Sequence, residues 1–96
     1  LAPNLNVSVN EQKERGVCRV VVAAPLAHGV KGRVTLSAPK TVRLEKTEMP
    51  VDLAPGGRTV WQIPYEGRHD ERGEQIRAVL NVEQGAALKG SVPLGL

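Results

Sequence analysis

Apolar and polar residues alternate with a period of two along much of the chain. In the segment 5–9 leucine and valine alternate with asparagine and serine, and the alternation recurs in the segments 33–38, 42–45, 58–65 and 76–82. Successive side chains of a β-strand point to opposite faces of its sheet, so this pattern predicts strands with one buried and one wet face. A short helix over 76–82 is an alternative, but the turn residues that follow favour a strand.

The segment 16–23 is rich in valine and ends shortly before Pro25. The stiff side chain of valine suits the pleated surface of a sheet, so this segment is predicted to be a strand. Arg19 lies in its middle and needs solvent, which fixes the direction in which the other side chains point. The residues predicted to face inward are Cys18, Val20 and Val22.

Turn signals separate these segments at intervals of about 8–12 residues. The strongest is Pro55-Gly56, because proline presets the first turn position and glycine accepts the positive φ of the next. A last strand is predicted over 88–94. Together the segments predict an all-β chain, an Ig-like or fibronectin-type-III-like sandwich of about seven antiparallel strands, in a single domain over 1–96. Five prolines are placed where they protect edge strands: Pro25, Pro39, Pro50, Pro64 and Pro93.

The composition limits what can fill the core of this sandwich. The chain has 96 residues, of which 41% are hydrophobic, but it contains one tryptophan, one tyrosine and no phenylalanine. Valine, leucine, isoleucine and alanine must supply most of the core volume. Ile63 lies between Trp61 and Tyr65 on one strand face, so that face is predicted to be the core. We expect Trp61 to be the single large residue around which the sheets pack, with Tyr65 at the rim.

Charge, cysteine count and apolar runs exclude several classes of protein. The apolar run 20–27 is far shorter than the roughly 20 residues of a membrane-spanning helix, so no membrane span is predicted. The net charge of +3 comes from lysines and arginines scattered among acidic and apolar residues, which does not predict nucleic-acid binding. Cys18 has no partner for an internal disulfide, and the redox compartment stays undetermined.

The segment 32–64 carries a recognisable order of features. A strand over 34–38 ends at Pro39, the turn segment 51–57 follows, and a further strand ends in Ile63-Pro64. In this order the chain resembles bacterial Ig-like accessory modules, of the kind attached to glycoside hydrolases and other secreted enzymes or found in cell-adhesion-related repeats. The resemblance implies a non-catalytic sandwich within a larger exported protein, extracellular or periplasmic. The opening residues lack an initiator methionine, so we expect a piece of a longer protein.

The densest polar cluster is the loop 66–74, which contains His69, Asp70 and Glu71. Transition metals need three or four fixed ligands, and two arginines in the same loop repel a cation, so we interpret the loop as solvated and these residues as weak metal candidates. A calcium site at Asp70, Glu71 and Glu74 lacks the spacing of a calcium-binding loop. No catalytic residue and no cofactor is predicted, because no reactive side chains converge.

Trp61 and Tyr65 are the candidate ligand-binding residues. Residues four apart on a strand share a face and lie about 13 Å apart, a separation that matches two or three sugar rings. Sugars pack their C–H faces on flat aromatic rings, so two exposed rings would predict carbohydrate binding. The exposure of Trp61 decides between a core residue and a binding platform.

Three functional hypotheses follow. The first is a structural accessory domain that acts as a spacer or packs against neighbouring domains of the parent chain. The second is a carbohydrate- or cell-wall-binding module that holds polysaccharide through Trp61 and Tyr65. The third is a homotypic or interdomain association module, with weak self-association in its homotypic form, because Val21, Val60 and Val79 are all predicted to lie outside the core.

Overall fold

A computed structural model describes residues 3–12, 15–67, 75–83 and 87–93. Within these ranges the chain forms β-strands and no helix, which confirms the predicted all-β class and the strand over 76–82. None of the described residues belongs to a helix that could cross a membrane. The strands are β1 (Asn4–Gln12), β2 (Arg15–Ala23), β3 (Val30–Ser37), β4 (Val42–Leu44), β5 (Glu48–Leu53), β6 (Arg58–Gly67), β7 (Gln75–Val82) and β8 (Ala87–Pro93).

The strands form two antiparallel sheets of four strands each. The first sheet has the order β1-β2-β6-β4 and the second has the order β5-β3-β7-β8. β1 and β2 pair as neighbours, and the chain then alternates between the two sheets from β3 to β7. The central strands β2 and β6 of the first sheet, and β3 and β7 of the second, therefore pair with partners distant in sequence.

The core lies between the two sheets and takes side chains from both. Its aliphatic composition agrees with the shortage of aromatic residues, and all three inward residues predicted for β2 are buried. Burying such side chains is the main source of stability in a domain of this size. The largest side chains with almost no exposed surface are Met49, Ile76, Leu80, Val20, Val22, Val34 and Cys18.

The sandwich closes on one side where β1 of the first sheet runs beside β8 of the second. Gly90 of β8 faces Val7 and Leu5 of β1, and a Cβ atom at Gly90 would lie 3.4 Å from the Val7 Cγ2 atom. The edges of the two sheets therefore lie close together at Gly90, with room for about one methyl group between them. On the opposite side, the first sheet ends at β6 and the short strand β4, and the second sheet ends at β5.

The turn between β5 and β6 has the chemistry predicted from Pro55-Gly56. The Gly57 N–H donates to the Ala54 carbonyl at 2.8 Å, and Gly56 has a φ of 76°. Proline in the second position and a positive φ in the third are the arrangement of a type II turn. The Gly56 N–H also donates to the Pro25 carbonyl at 2.8 Å, so the turn is fastened to the chain segment that leaves β2.

Candidate functional site

The most distinctive surface of the described chain is the edge of β6. β2 pairs with β6 from Arg58 to Glu66 on one side, whereas β4 pairs on the other side only with residues 65–67. No described strand lies beside residues 58–63 on the β4 side. An unpaired edge of this kind presents backbone N–H and C=O groups that another strand can bond.

Two hydrogen bonds show which backbone groups of β6 face this open edge. The Glu45 N–H donates to the Pro64 carbonyl at 3.0 Å, on the β4 side, and the Ala24 N–H donates to the Gly57 carbonyl at 2.8 Å, on the β2 side. The N–H and C=O groups of successive residues in a strand alternate between its two sides. The N–H and C=O groups of Arg58, Val60 and Gln62 therefore all point away from β2, toward the open edge.

Pro64 fits this arrangement. Its carbonyl points to the β4 side, so the N–H that proline lacks would have pointed there as well. Proline at this position therefore removes no hydrogen bond between β6 and β2. A proline within an alternating segment is typical of an edge strand, and this was the one signal in the sequence that β6 has an open side.

The open edge carries two exposed polar side chains, Arg58 and Gln62, beside the apolar side chains of Val60 and Trp61. Val60 is 39% exposed on the outer face of the first sheet, and Val21 of β2 lies directly opposite it. Trp61 points the other way, toward the core, and is half-buried. We call the surface made by Arg58, Val60, Trp61 and Gln62, together with Val21, the β6 edge surface.

The structure corrects the predicted placement of the two aromatic rings. Tyr65 was expected at the rim, but it is only 2% exposed, whereas Trp61, expected to be buried in the core, is half-buried and packs against it. Both residues face inward, as predicted. Tyr65 has a strand on each side, with Leu44 of β4 and Gly16 of β2 as its partners, whereas among the described strands Trp61 is paired only with Val20 of β2.

This placement leaves one aromatic ring with exposed surface instead of two. Because Tyr65 is buried, it does not form a surface platform with Trp61 at the spacing of several sugar rings. The exposed part of Trp61 lies beside the unpaired backbone of its own strand. Among the predicted ligand-binding residues, Trp61 is thus the one that belongs to the β6 edge surface.

The three valines predicted to lie outside the core do not form one patch. Val21 and Val60 are neighbours on the outer face of the first sheet, whereas Val79 lies on the outer face of the second, between Thr35 and Lys89. Val21 and Val79 are half-buried and Val60 is exposed. Only the first two can act together in an association surface.

The weak metal candidates His69, Asp70 and Glu71, together with Glu74, lie outside the described residues. Within the described ranges, no three histidine, cysteine or acidic side chains come together. His28 is exposed and lies 3.2 Å, through its Nδ1 atom, from the carbonyl oxygen of the next residue, Gly29. This contact is local to the segment between β2 and β3.

Cys18 has the properties of a buried core residue. Its side chain has no exposed surface, and desolvation by burial raises the pKa of the Cys18 thiol from 9.0 to about 11. A reactive cysteine needs the opposite change, because the thiolate is the nucleophile. The structure thus confirms that Cys18 faces inward, where it packs as a small hydrophobic residue.

Because the pKa of Cys18 is raised, the free energy of unfolding should depend on pH in the alkaline range. The unfolded chain ionises the Cys18 thiol at a lower pH than the folded chain does. The contribution of Cys18 to the free energy of unfolding is therefore complete below about pH 9 and is lost as the pH rises toward about 11. We expect Cys18→Ala to lose less unfolding free energy than the parent between about pH 8 and about pH 10.5, measured by urea denaturation. Equal losses in the two proteins would show that Cys18 does not contribute to the pH dependence.

The β6 edge surface thus joins an unpaired strand edge, a pair of outer valines and a half-buried tryptophan. Its chemistry is that of backbone hydrogen bonding combined with apolar contact. Comparison of the chain with protein-family models and with curated proteins finds no match.

Proposed function

We propose that this chain is a non-catalytic Ig-like domain that packs against neighbouring domains of a larger exported protein. The observation that carries the proposal is the β6 edge surface, which offers unpaired backbone groups beside the exposed side chain of Val60. Surfaces of this kind form contacts with other polypeptides, because they gain both main-chain hydrogen bonds and apolar burial on binding.

The contrast with β5, the edge strand of the other sheet, supports this function. The Thr47 carbonyl accepts a bond from the Leu36 N–H of β3, so the backbone groups of Glu48, Pro50 and Asp52 face away from β3. That edge carries two acidic side chains and a proline, which are devices that prevent further strand pairing. The edge of β6 between Arg58 and Gln62 has no acidic residue and no proline.

The Ig-like assignment has support from the order of the strands. The order β1-β2-β6-β4 in one sheet, with β3, β7 and β8 adjacent in the other, parallels the A-B-E-D and C-F-G sheets of an immunoglobulin domain. β5 is an added edge strand beside β3. The proposed location, extracellular or periplasmic, follows from the family resemblance of the segment 32–64.

Carbohydrate or cell-wall binding remains the alternative function, with the exposed part of Trp61 as its single support. A half-buried ring offers less stacking surface than a free one, and Tyr65 offers none. The same ring lies next to unpaired backbone groups that a sugar does not need. These features favour protein contact over carbohydrate contact.

Packing against a neighbouring domain predicts that the 96 residues are less stable toward urea when they are alone than when they are part of the larger protein proposed here. We expect the domain to unfold at a higher urea concentration within the longer chain, because the contact adds to its stability. Val60→Lys should remove most of this difference, since a charge replaces the apolar contact. Val79→Lys, on the outer face of the other sheet, is the matched control and should preserve it.

Two outcomes would contradict the proposal. One is the same unfolding midpoint for the domain in both contexts, which would mean that no neighbour packs against it. The other is hydrolytic turnover by the isolated chain that a single substitution abolishes, which would make it an enzyme.

A further inference from the structure

We propose that the neighbouring domain meets the outer face of the first sheet with two carboxylate side chains, one for Arg19 and one for Arg58. This inference rests on the proposed function and states the chemistry of the neighbour that packs there. The two arginines are exposed and lie on the same face as Val21 and Val60, the outer valines of the β6 edge surface.

The two arginines lie at opposite ends of the valine pair. Arg19 comes two residues before Val21 on β2, and Arg58 comes two residues before Val60 on β6. Because β2 and β6 are antiparallel and Val21 pairs with Val60, these equal steps lead in opposite directions. Four residues along the strands and one strand across place the Cα atoms of the two arginines about 14 Å apart.

The described part of this face holds no acidic side chain beside either arginine. Its acidic residue is Glu66, near the end of β6, where it lies opposite Arg43 of β4. Glu66 is about 13 Å along β6 from Gln62, the residue that pairs with Arg19. Arg58 lies at the other end of β6. Among the described residues, neither arginine has an acidic partner.

The second sheet differs, because its edge strand β5 supplies acidic side chains to the cations of β3. The Arg33 Nη1 atom lies 3.8 Å from the Glu48 Oε1 atom, and Lys31 lies opposite Asp52. The first sheet has no such edge strand beside β2 or along the open part of β6. Its two arginines must therefore receive their counter-charges from outside the described chain.

Covering the valine pair brings a neighbour to both arginines. Each arginine lies about 7 Å along its strand from a valine on the same face. Contact with Val21 and Val60 therefore removes water from the two guanidinium groups, which is strongly unfavourable while they are unpaired. A carboxylate offsets this cost, because its two oxygens accept hydrogen bonds from two N–H groups of one guanidinium. A neutral or basic neighbour would leave the cost in place.

The spacing of the arginines indicates how the two carboxylates are arranged. In an extended strand, residues four apart share a face and lie about 13 Å apart, close to the separation of Arg19 and Arg58. The residue midway between them then lies over Val21 and Val60, where an apolar side chain gains contact. The neighbour that fits is a strand face in the order acidic, apolar, acidic.

Unfolding in urea of the 96 residues alone and within the larger protein tests this inference. The quantity compared is the context ratio, which is the unfolding constant of the 96 residues alone divided by that of the same residues in the larger protein. We expect Arg19→Gln and Arg58→Gln each to lower the context ratio by about fivefold, because each removes one charge pair across the contact. Raising NaCl from about 0.05 M to about 0.5 M should also lower the ratio of the unsubstituted protein, since salt screens these pairs.

Arg77→Gln is the matched control, because Arg77 is an exposed arginine on the outer face of the second sheet, between Ser37 and Ser91. It makes the same chemical change and should leave the context ratio unchanged. Arg58→Glu separates the effect of charge from that of shape. Beside a carboxylate it should lower the ratio further than Arg58→Gln does, and added salt should reduce this extra loss.

The outcomes separate this inference from the proposed function. A context ratio of about one for the unsubstituted protein means that no neighbour packs on the domain, which overturns both. A ratio well above one that salt and both glutamine variants leave unchanged overturns the inference alone, because the neighbour then packs without carboxylates. Equal losses for Arg58→Gln and Arg58→Glu also overturn it, since an acidic neighbour would repel the new glutamate.

Discussion

Replacing Leu80 with alanine will lower the free energy of unfolding by about 2–5 kcal/mol. Leu80 lies in β7, between β3 and β8, and its side chain has no exposed surface. It faces the core between the two sheets, with Val34 of β3 directly beside it. Truncation removes apolar contacts and leaves a cavity that the paired strands on either side cannot close by moving.

Leu26→Ala is the matched control for this prediction. It makes the same chemical change, but Leu26 is 87% exposed in the segment that follows β2, so the cost should stay within about 0.5 kcal/mol. Urea denaturation of the parent and both variants, followed by circular dichroism, gives the three free energies. Similar losses for the two variants would mean that Leu80 does not lie in a close-packed core.

Which side chains of a strand point to the core could be predicted from the sequence, because this depends only on the residues of that strand. Arg19 sufficed to place Cys18, Val20 and Val22 inside, and they are buried. The same alternation placed Ile63 inside and Val60 outside. A period of two fixes each side chain to one face of the sheet, wherever the strand lies in the fold.

The position of a strand within its sheet could not be predicted in this way, because it depends on pairing between distant segments. β6 pairs with β2, about 40 residues earlier in the chain, and with the three residues of β4. This pairing encloses Tyr65 and leaves Trp61 at an open edge, which reverses the predicted roles of the two rings. The β6 edge surface depends on the same pairing, and Pro64 was its only local sign.

Replacing Gly67 with alanine will destabilise the fold by about 2–5 kcal/mol. Gly67 ends β6 with a φ of 130°, in a region that residues with a Cβ atom rarely adopt. It also lies opposite Val42 of β4, so close that an added Cβ would overlap the Thr41 carbonyl oxygen. The methyl group would therefore strain the backbone and push β4 away from β6, which loosens the cover over Tyr65.

Gly90→Ala separates this specific effect from the general consequence of adding a methyl group to a strand. The new Cβ at position 90 would meet the Val7 Cγ2 atom at 3.4 Å, which is an ordinary contact, and no positive φ opposes it. We expect its stability to stay within about 1 kcal/mol of the parent, or to rise as the unfolded chain loses freedom. If thermal and urea unfolding show Gly67→Ala to be as mild as Gly90→Ala, β4 does not approach β6 as closely as the structure places it, and the enclosure of Tyr65 needs another cause.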